Sequence, residues 1–337
     1  MTDRPMGCFL SGGLDSSIIA SILVEKLGGK NVRTYSVGME GATDLKYARM
    51  VADRLGTVHT EVIFTPEEAF EVLPEVIKDI GSYDVTTVRA SVGMWLLARY
   101  VKENSKDIVI FSGEGSDELL MGYLYFHNAP TPSAAQEESE RLVNELANYD
   151  VLRADRCVSS HGLELRVPFL DRYVVDFCMS LDPEEKIPKN GFEKFLLRKA
   201  FERSDLPLEV LWRRKEGMSD GTGSLERPLS VCFQERLNSD IPENIPENIP
   251  KNLRWTHRLA HNLLKNTTVT FGGCEVPIFP TFISPVEQEA KHYRKLFDEA
   301  FPGYQPVIDR WLPRWTDTKD PSGRLISIKT NESVVKK

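Results

Sequence analysis

Hydrophobic positions in the first third of the chain fall into short runs separated by longer amphipathic stretches. "MGCFL" (6–10), "VRTYSV" (32–37), "VHTEVIF" (58–64) and "DIVIFS" (107–112) are brief segments rich in Val, Ile, Phe and Tyr, the pattern of buried strands. Between them, "LDSSIIASILVEKL" and "TDLKYARMVADRL" repeat apolar residues at helical spacing, with Gly28, Gly29 and Gly56 as natural stops. This alternation predicts an α/β fold built on a doubly wound parallel sheet. Beyond about residue 116 the strand signal fades. "AAQEESERLVNELANYDVLRADRCVSSHG" and "GFEKFLLRKAFERS" read as amphipathic helices, so the C-terminal half is expected to be largely helical. "NSDIPENIPENIPKNL" repeats Ile-Pro-Glu-Asn at a proline density that excludes a helix interior, and reads as a Pro-rich surface loop near 239–252.

Composition narrows the class. With 337 residues, 41 % of them hydrophobic, the chain can bury a substantial core. No apolar run reaches the roughly 20 residues of a spanning helix, so no membrane partner is expected. The start, "MTDRPMGCFL", lacks the apolar run of a signal peptide and the Arg/Ser bias of a transit peptide, which makes the cytoplasm the default location. Five cysteines, Cys8, Cys157, Cys178, Cys232 and Cys274, are odd in number and contain no CxxC pair, as expected of scattered thiols in a reducing compartment. A net charge of −8 argues against a nucleic-acid partner.

Ligands of an open parallel sheet bind beyond the carboxyl ends of its strands. Two polar, glycine-rich segments hold that position: "SGGLDSS" (11–17) after the first strand and "SGEGSDE" (112–118) after "DIVIF". Gly12 and Gly13 let the backbone turn so that successive amides approach an anion, and the helix beginning near Leu14 adds its N-terminal donors. No lysine follows the glycines, so this is neither a Walker A loop nor a GxGxxG turn. Asp15 would repel a bare phosphate, which points to a bridging Mg²⁺. A loop with an ordinary helix cap is the bland reading of Ser11–Ser17. Glu114, Asp117 and Glu118 add carboxylates to the same crevice, and such convergence calls for a metal or a cationic substrate.

At these residues the chain resembles the asparagine synthetase family, specifically the synthetase domain of the glutamine-hydrolysing enzymes. "SGGLDSS" is similar to the pyrophosphate motif of the wider ATP pyrophosphatase superfamily. "YDVTTVRAS" (83–91), "SGEGSDELLMGYLYFHNAP" (112–130), "RADRCVSSHGLELRVPFLD" (153–171), "WRRKEGMSDG" (212–221) and "DPSGR" (320–324) resemble asparagine synthetase segments in the family's order. The likeness runs from about residue 3 to about 330 and is weakest over 225–290. It implies an adenine nucleotide alpha hydrolase-like fold and one asparagine synthetase unit over 1–337, with an α/β nucleotide-binding core at 1–130 and a mainly helical part at 131–337.

The reaction implied takes two steps. The side-chain carboxylate of L-aspartate attacks the α-phosphorus of ATP to give β-aspartyl-AMP and pyrophosphate, and ammonia then displaces AMP to give asparagine. The resemblance places ATP and its pyrophosphate against Phe9, Ser11, Gly12, Gly13, Leu14, Asp15, Ser16, Val37, Ser112 and Gly113, with Asp15 and Asp117 as Mg²⁺ ligands. Glu114 matches the family's catalytic glutamate, which binds substrate and assists proton removal from ammonia. Lys215 matches the lysine that stabilises charge on the transferring phosphate. Arg166 would act on a carboxylate or phosphate, its structural alternative being an ion pair with Glu164 or Asp171. Thr86 and Thr87, after the strand-like "YDV", are candidate substrate contacts, as is Asp117. Phe9 and Val37 also read as sheet core.

Some features depart from the family. Thr follows Met1 and the pyrophosphate motif lies almost at the start, so the N-terminal glutaminase domain of the family is expected to be missing, leaving free ammonia or a glutaminase domain or subunit as nitrogen source. An exposed apolar surface would then favour self-association, a homodimer included. Gly217 and Met218 replace an expected Ala-Phe. Two alternatives stand beside this reading. A β-lactam synthetase-like adenylating enzyme would need a tyrosine–glutamate pair as base, and the sequence identifies none. A noncatalytic nucleotide-binding fragment is disfavoured by the presence of Asp15, Glu114, Asp117 and Lys215.

Overall fold

The computed structural model describes residues 3–215, 221–223, 228–239, 268–271, 274–277, 285–304 and 313–316. Four strands match the four apolar runs: β1 (Met6–Phe9), β2 (Arg33–Gly38), β3 (Val58–Ile63) and β4 (Val109–Phe111). The fifth, β5 (Glu164–Arg166), is three residues long and follows a helix, too short to leave a strand signal in the sequence. All five are parallel, in the order β3-β2-β1-β4-β5, so the expected α/β doubly wound architecture is present. The chain leaves β1 toward β2 on one side and returns to β4 on the other, which makes the gap between β1 and β4 the topological switch point. Met6 pairs with Val109 and Cys8 with Phe111, so "SGGLDSS" and "SGEGSDE" emerge side by side at that point.

The helices are α1 (Leu14–Leu27), α2 (Thr43–Leu55), α3 (Pro66–Glu71), α4 (Leu73–Ile80), α5 (Val85–Asn104), α6 (Ser116–Leu119) and α7 (Pro132–Glu145). They continue as α8 (Asp150–Ser159), α9 (Arg172–Ser180), α10 (Pro183–Lys186), α11 (Phe195–Ala200), α12 (Leu208–Leu211), α13 (Leu229–Ser239) and α14 (Pro285–Ala300). A small antiparallel pair, β6 (Thr268–Phe271) and β7 (Cys274–Pro277), lies outside the main sheet. Gly56 ends α2 in the left-handed conformation at φ 69°, as its position predicted. "YDV" is not a strand. Asp84 caps α5, accepting from the Thr87 amide at 2.9 Å, because an aspartate just before an apolar helical run satisfies a free helix donor. "GFEKFLLRKAFERS" yields only the six-residue α11, since Lys194 takes the left-handed conformation immediately before it.

Strand alternation divides the core. Phe9, Tyr35, Val37 and Ile110 face one cluster, with Val88, Val92 and Met94 of α5 and Cys157 of α8, whereas Cys8, Leu10 and Phe111 face the other with Ile18, Val51 and Ala52 of α1 and α2. Phe9 and Val37 are therefore sheet core, as read. Cys8, Cys157, Cys178 and Cys232 are buried. Among the described residues no helix is long and apolar enough to cross a membrane. The Pro-rich segment, Gly217, Met218 and "DPSGR" lie outside the described residues, apart from Ser239 at the end of α13.

Candidate nucleotide and acyl-transfer site

The loop after β1 closes on itself through its serines. Ser11 Oγ and Ser16 Oγ are 3.1 Å apart, the Gly13 amide donates to Ser11 Oγ at 3.2 Å, and Ser17 Oγ donates to the Gly13 carbonyl at 2.6 Å. Gly13 precedes α1 without any side-chain cap, which leaves the first amides of a 14-residue helix available to an external acceptor. Gly12 is needed for a reason the sequence did not suggest. Its φ is +67°, and a Cβ there would lie 2.4 Å from the Ala48 amide nitrogen and the Tyr47 carbonyl carbon of α2. Arg213 braces the turn, donating to the Gly12 carbonyl at 3.3 Å and to Asp44 at 3.0 Å while its guanidinium lies 4.3 Å from the centre of the Tyr47 ring.

The second loop touches the first. A Cβ on Gly113 would come within 2.7 Å of the Ser16 amide nitrogen and 2.8 Å of the Asp15 Cβ, so the absence of a side chain allows the contact. Ser116 Oγ donates to Asp15 Oδ1 at 2.8 Å, and the Ser112 amide donates to the Arg166 carbonyl at 2.9 Å, tying the loop to β5.

Two lysines thread the carboxylates together. Lys194 Nζ lies 2.8 and 2.6 Å from the two Asp15 oxygens and 2.7 Å from Asp117 Oδ1, and Lys215 Nζ lies 2.5 Å from Asp117 Oδ2. Burial alone would raise the Asp117 carboxyl, but the two ammonium groups outweigh it and hold this acid well below the usual carboxylate range. Burial would likewise discharge Lys215, and Asp117 and Asp15 reverse that, pushing its ammonium above its ordinary value. Beside the converging acids, for which the sequence calls for a metal or a cationic substrate, the structure places two of the chain's own ammonium groups.

Asp15 and Asp117 nevertheless fit a hard cation by chemistry. Both converge on one point, and Mg²⁺ takes one or two protein carboxylates and completes its shell with water and phosphate oxygens. That point is held by Lys194 Nζ, and among the described residues no group of three His, Cys, Asp or Glu side chains could hold a metal alone.

Glu114 sits beside this network. Burial raises its carboxyl, partly offset by Arg153, whose Nη2 lies 3.1 Å from Glu114 Oε2 and 3.0 Å from Asp150 Oδ1. Glu118 is pushed up to about 8 by burial, Asp150 and Asp117. It accepts a hydrogen bond from Tyr123, so a tyrosine–glutamate pair does exist. Burial and the surrounding acids drive the Tyr123 hydroxyl well above its ordinary value, the opposite of what a base requires.

Arg166 and the threonines are not part of this network. Arg166, half-buried, pairs with the exposed Glu164 on β5, the ion pair that is its structural alternative. Thr87 spends its amide and its hydroxyl on Asp84, whereas Thr86 Oγ1 is buried without a hydrogen-bond partner among the described residues. Lys194, Arg153, Asp44 and Arg213 were missed. Lys194 reads in sequence as the polar face of an amphipathic helix, and only its neighbour Gly191 hinted at irregular backbone.

Comparison with known proteins gives the family. The family model described as "Asparagine synthase" matches residues 1–135 and 129–270. The human "Asparagine synthetase [glutamine-hydrolyzing]" is 45 % identical over 333 residues, covering 97 % of this chain and 54 % of the relative. The proteins of the same name from Bos taurus and Gallus gallus are 44 % and 42 % identical, over 97 % of this chain and 54 % of each relative. The chain thus spans about half the length of the curated relatives it matches. With a match over most of its length and both loops closing on one crevice, this chain belongs to the asparagine synthase family.

Proposed function

We propose that the chain catalyses ATP-dependent amidation of L-aspartate through β-aspartyl-AMP, giving L-asparagine, AMP and pyrophosphate, with ammonia as the nitrogen donor. The observation that carries this reading is the run of contacts Lys215–Asp117–Lys194–Asp15, which joins both glycine loops at the switch point of the sheet. Family membership supports the ligase chemistry. The relatives' names add glutamine hydrolysis, so a glutaminase domain or subunit would deliver the same ammonia from glutamine.

In the first step an aspartate side-chain oxygen forms a bond to the α-phosphorus of ATP, and the bond from that phosphorus to the pyrophosphate oxygen breaks. Negative charge grows on the leaving pyrophosphate, where the open amides of α1 and the Ser11–Ser16 loop offer donors already fixed in place. Lys215 stays protonated beside Asp117 and meets charge on the transferring phosphate. Bound Mg²⁺, held by Asp15 and Asp117, would supply Lewis-acid neutralisation of the phosphates.

In the second step nitrogen attacks the acyl carbon, the bond to AMP breaks, and one proton leaves the nitrogen. Glu114 accepts it when ionised, with Arg153 favouring the carboxylate form against burial. Phe9 and Val37 line the apolar side on which adenine would rest. Thr86 Oγ1 is a buried acceptor or donor available to substrate. No step is assigned to Arg166.

The test incubates the purified chain with ATP, Mg²⁺, L-aspartate and ammonium, following pyrophosphate, AMP and asparagine together, beside Lys215→Met. Equal yields of the three products, abolished in the variant, are expected. Aspartate-dependent pyrophosphate without asparagine would limit the chain to adenylation. A folded chain that consumes no ATP would refute the proposal.

A further inference from the structure

Lys194 carries three local penalties at once. It is a non-glycine residue at φ 52°, ψ 35°, a left-handed conformation that costs about 1–2 kcal/mol. It occupies the N-cap of α11, where Ser, Thr, Asp and Asn are favoured and a cation faces the positive end of the helix. Its side chain is only 1 % exposed, although a lysine is almost never fully buried unless paired.

The surrounding segment is braced from behind. His127 Nε2 lies 2.6 Å from Glu193 Oε1, and Arg198 donates to the Glu193 carbonyl at 2.8 Å and to the Leu211 carbonyl at 2.5 Å. Strained conformations over-determined by their surroundings gather at functional sites. The pull of this one ends on Asp15 in the first turn of α1 and on Asp117 in α6, the two residues that would hold the cation.

We infer that Lys194 is a resident counter-cation and positioning residue for the divalent ion and pyrophosphate of this site. Its ammonium keeps the two carboxylates together before the metal arrives, and passes from carboxylate to phosphate oxygens when metal and pyrophosphate enter. This inference rests on the proposed role of Asp15 and Asp117 toward Mg²⁺ and pyrophosphate. It has a signature that simple structural support lacks. Removing the ammonium takes a cation from three carboxylate oxygens and leaves the acids under-neutralised, so a bare divalent ion should bind more tightly. Pyrophosphate loses a cation and should bind more weakly. A residue needed only for folding would weaken both.

The experiment measures Mn²⁺ binding to the nucleotide-free full chain by electron paramagnetic resonance, and Mg²⁺-pyrophosphate binding by calorimetry, in the parent, Lys194→Met and Lys194→Arg, with melting curves to establish that each is folded. In Lys194→Met, Mn²⁺ affinity should rise about tenfold and pyrophosphate affinity fall about tenfold, the scale expected when a unit charge leaves a partly buried cluster. Lys194→Arg should stay close to the parent in both. Unchanged or weaker Mn²⁺ binding in folded Lys194→Met overturns the inference.

If Lys194→Met does not fold, the parent labelled with ¹⁵N-lysine decides. The Lys194 ammonium signal should shift on adding Mg²⁺ with pyrophosphate, and an indifferent signal overturns the inference. None of these readouts requires asparagine formation, so failure of the proposed reaction leaves them standing. Unchanged Mn²⁺ and pyrophosphate binding in an otherwise active chain would sink this inference alone.

Discussion

Replacing Gly113 by alanine tests whether contact between the two glycine loops makes the site. The added Cβ would stand 2.7 Å from the Ser16 amide nitrogen, 2.8 Å from the Asp15 carbonyl carbon and 2.8 Å from the Asp15 Cβ. These atoms belong to the first turn of α1, so no flexible side-chain end can swing aside. Restoring an ordinary carbon contact of about 3.5 Å separates the loops by about 0.7 Å. The Ser116–Asp15 bond of 2.8 Å and the Lys194–Asp117 contact of 2.7 Å would both stretch toward the edge of hydrogen bonding. Misplacement on this scale costs about 100-fold in turnover, and overpacking costs about 1–3 kcal/mol of stability.

The assay is the initial rate of aspartate-dependent pyrophosphate release, with denaturant melts alongside. Gly93→Ala is the internal comparison. Its Cβ would meet Thr222 and Val37 at 3.4 and 3.6 Å, ordinary contacts, and Gly93 lies inside α5, so helix propensity should make the change neutral or stabilising by up to about 1 kcal/mol. Turnover of Gly113→Ala equal to that of the parent would refute the argument that loop contact sets the site.

Glu118→Gln should change how stability varies with pH. The folded Glu118 holds its proton up to about 8 against an ordinary value of 4.5, so the folded chain binds a proton that the unfolded chain lacks and loses stability as pH rises through that window. Melts should show the variant pulling ahead of the parent toward pH 8 and converging with it near pH 4.5; parallel curves would refute the assignment. Asp117 works in the opposite sense. Held below its ordinary 3.8 by Lys194 and Lys215 against burial, it contributes stability above that value that is lost on acidification, so Asp117→Asn should flatten the acid limb of the melting profile. Arg89 and Glu289 form a fully buried pair between α5 and α14, and Arg89→Met should destabilise the chain by about 3–5 kcal/mol in denaturant titrations because the buried carboxylate, which also accepts from Tyr293, loses its counter-charge. A loss below about 1 kcal/mol there would mean that Glu289 reaches water or another partner.

Sequence alone determined the sheet and the two glycine-rich loops at one end of it. Short apolar runs and helical spacing are local signals, and they located β1 to β4, α1 and α2 almost to the residue. Two glycine-rich loops after parallel strands then had to share a crevice, because strand order in a doubly wound sheet brings those ends together. Motif likeness carried Asp15, Glu114, Asp117 and Lys215 to that crevice. What the sequence left undetermined depends on contacts between residues far apart along the chain. Lys194 reaches Asp15 across 179 positions, and Arg213 reaches Gly12 across 201, with no periodicity to mark either. A lysine on solvent and a lysine in a salt-bridged interior are the same letter. Only the tertiary structure decides which carboxylates surround it, because folding brings together segments that no local pattern links.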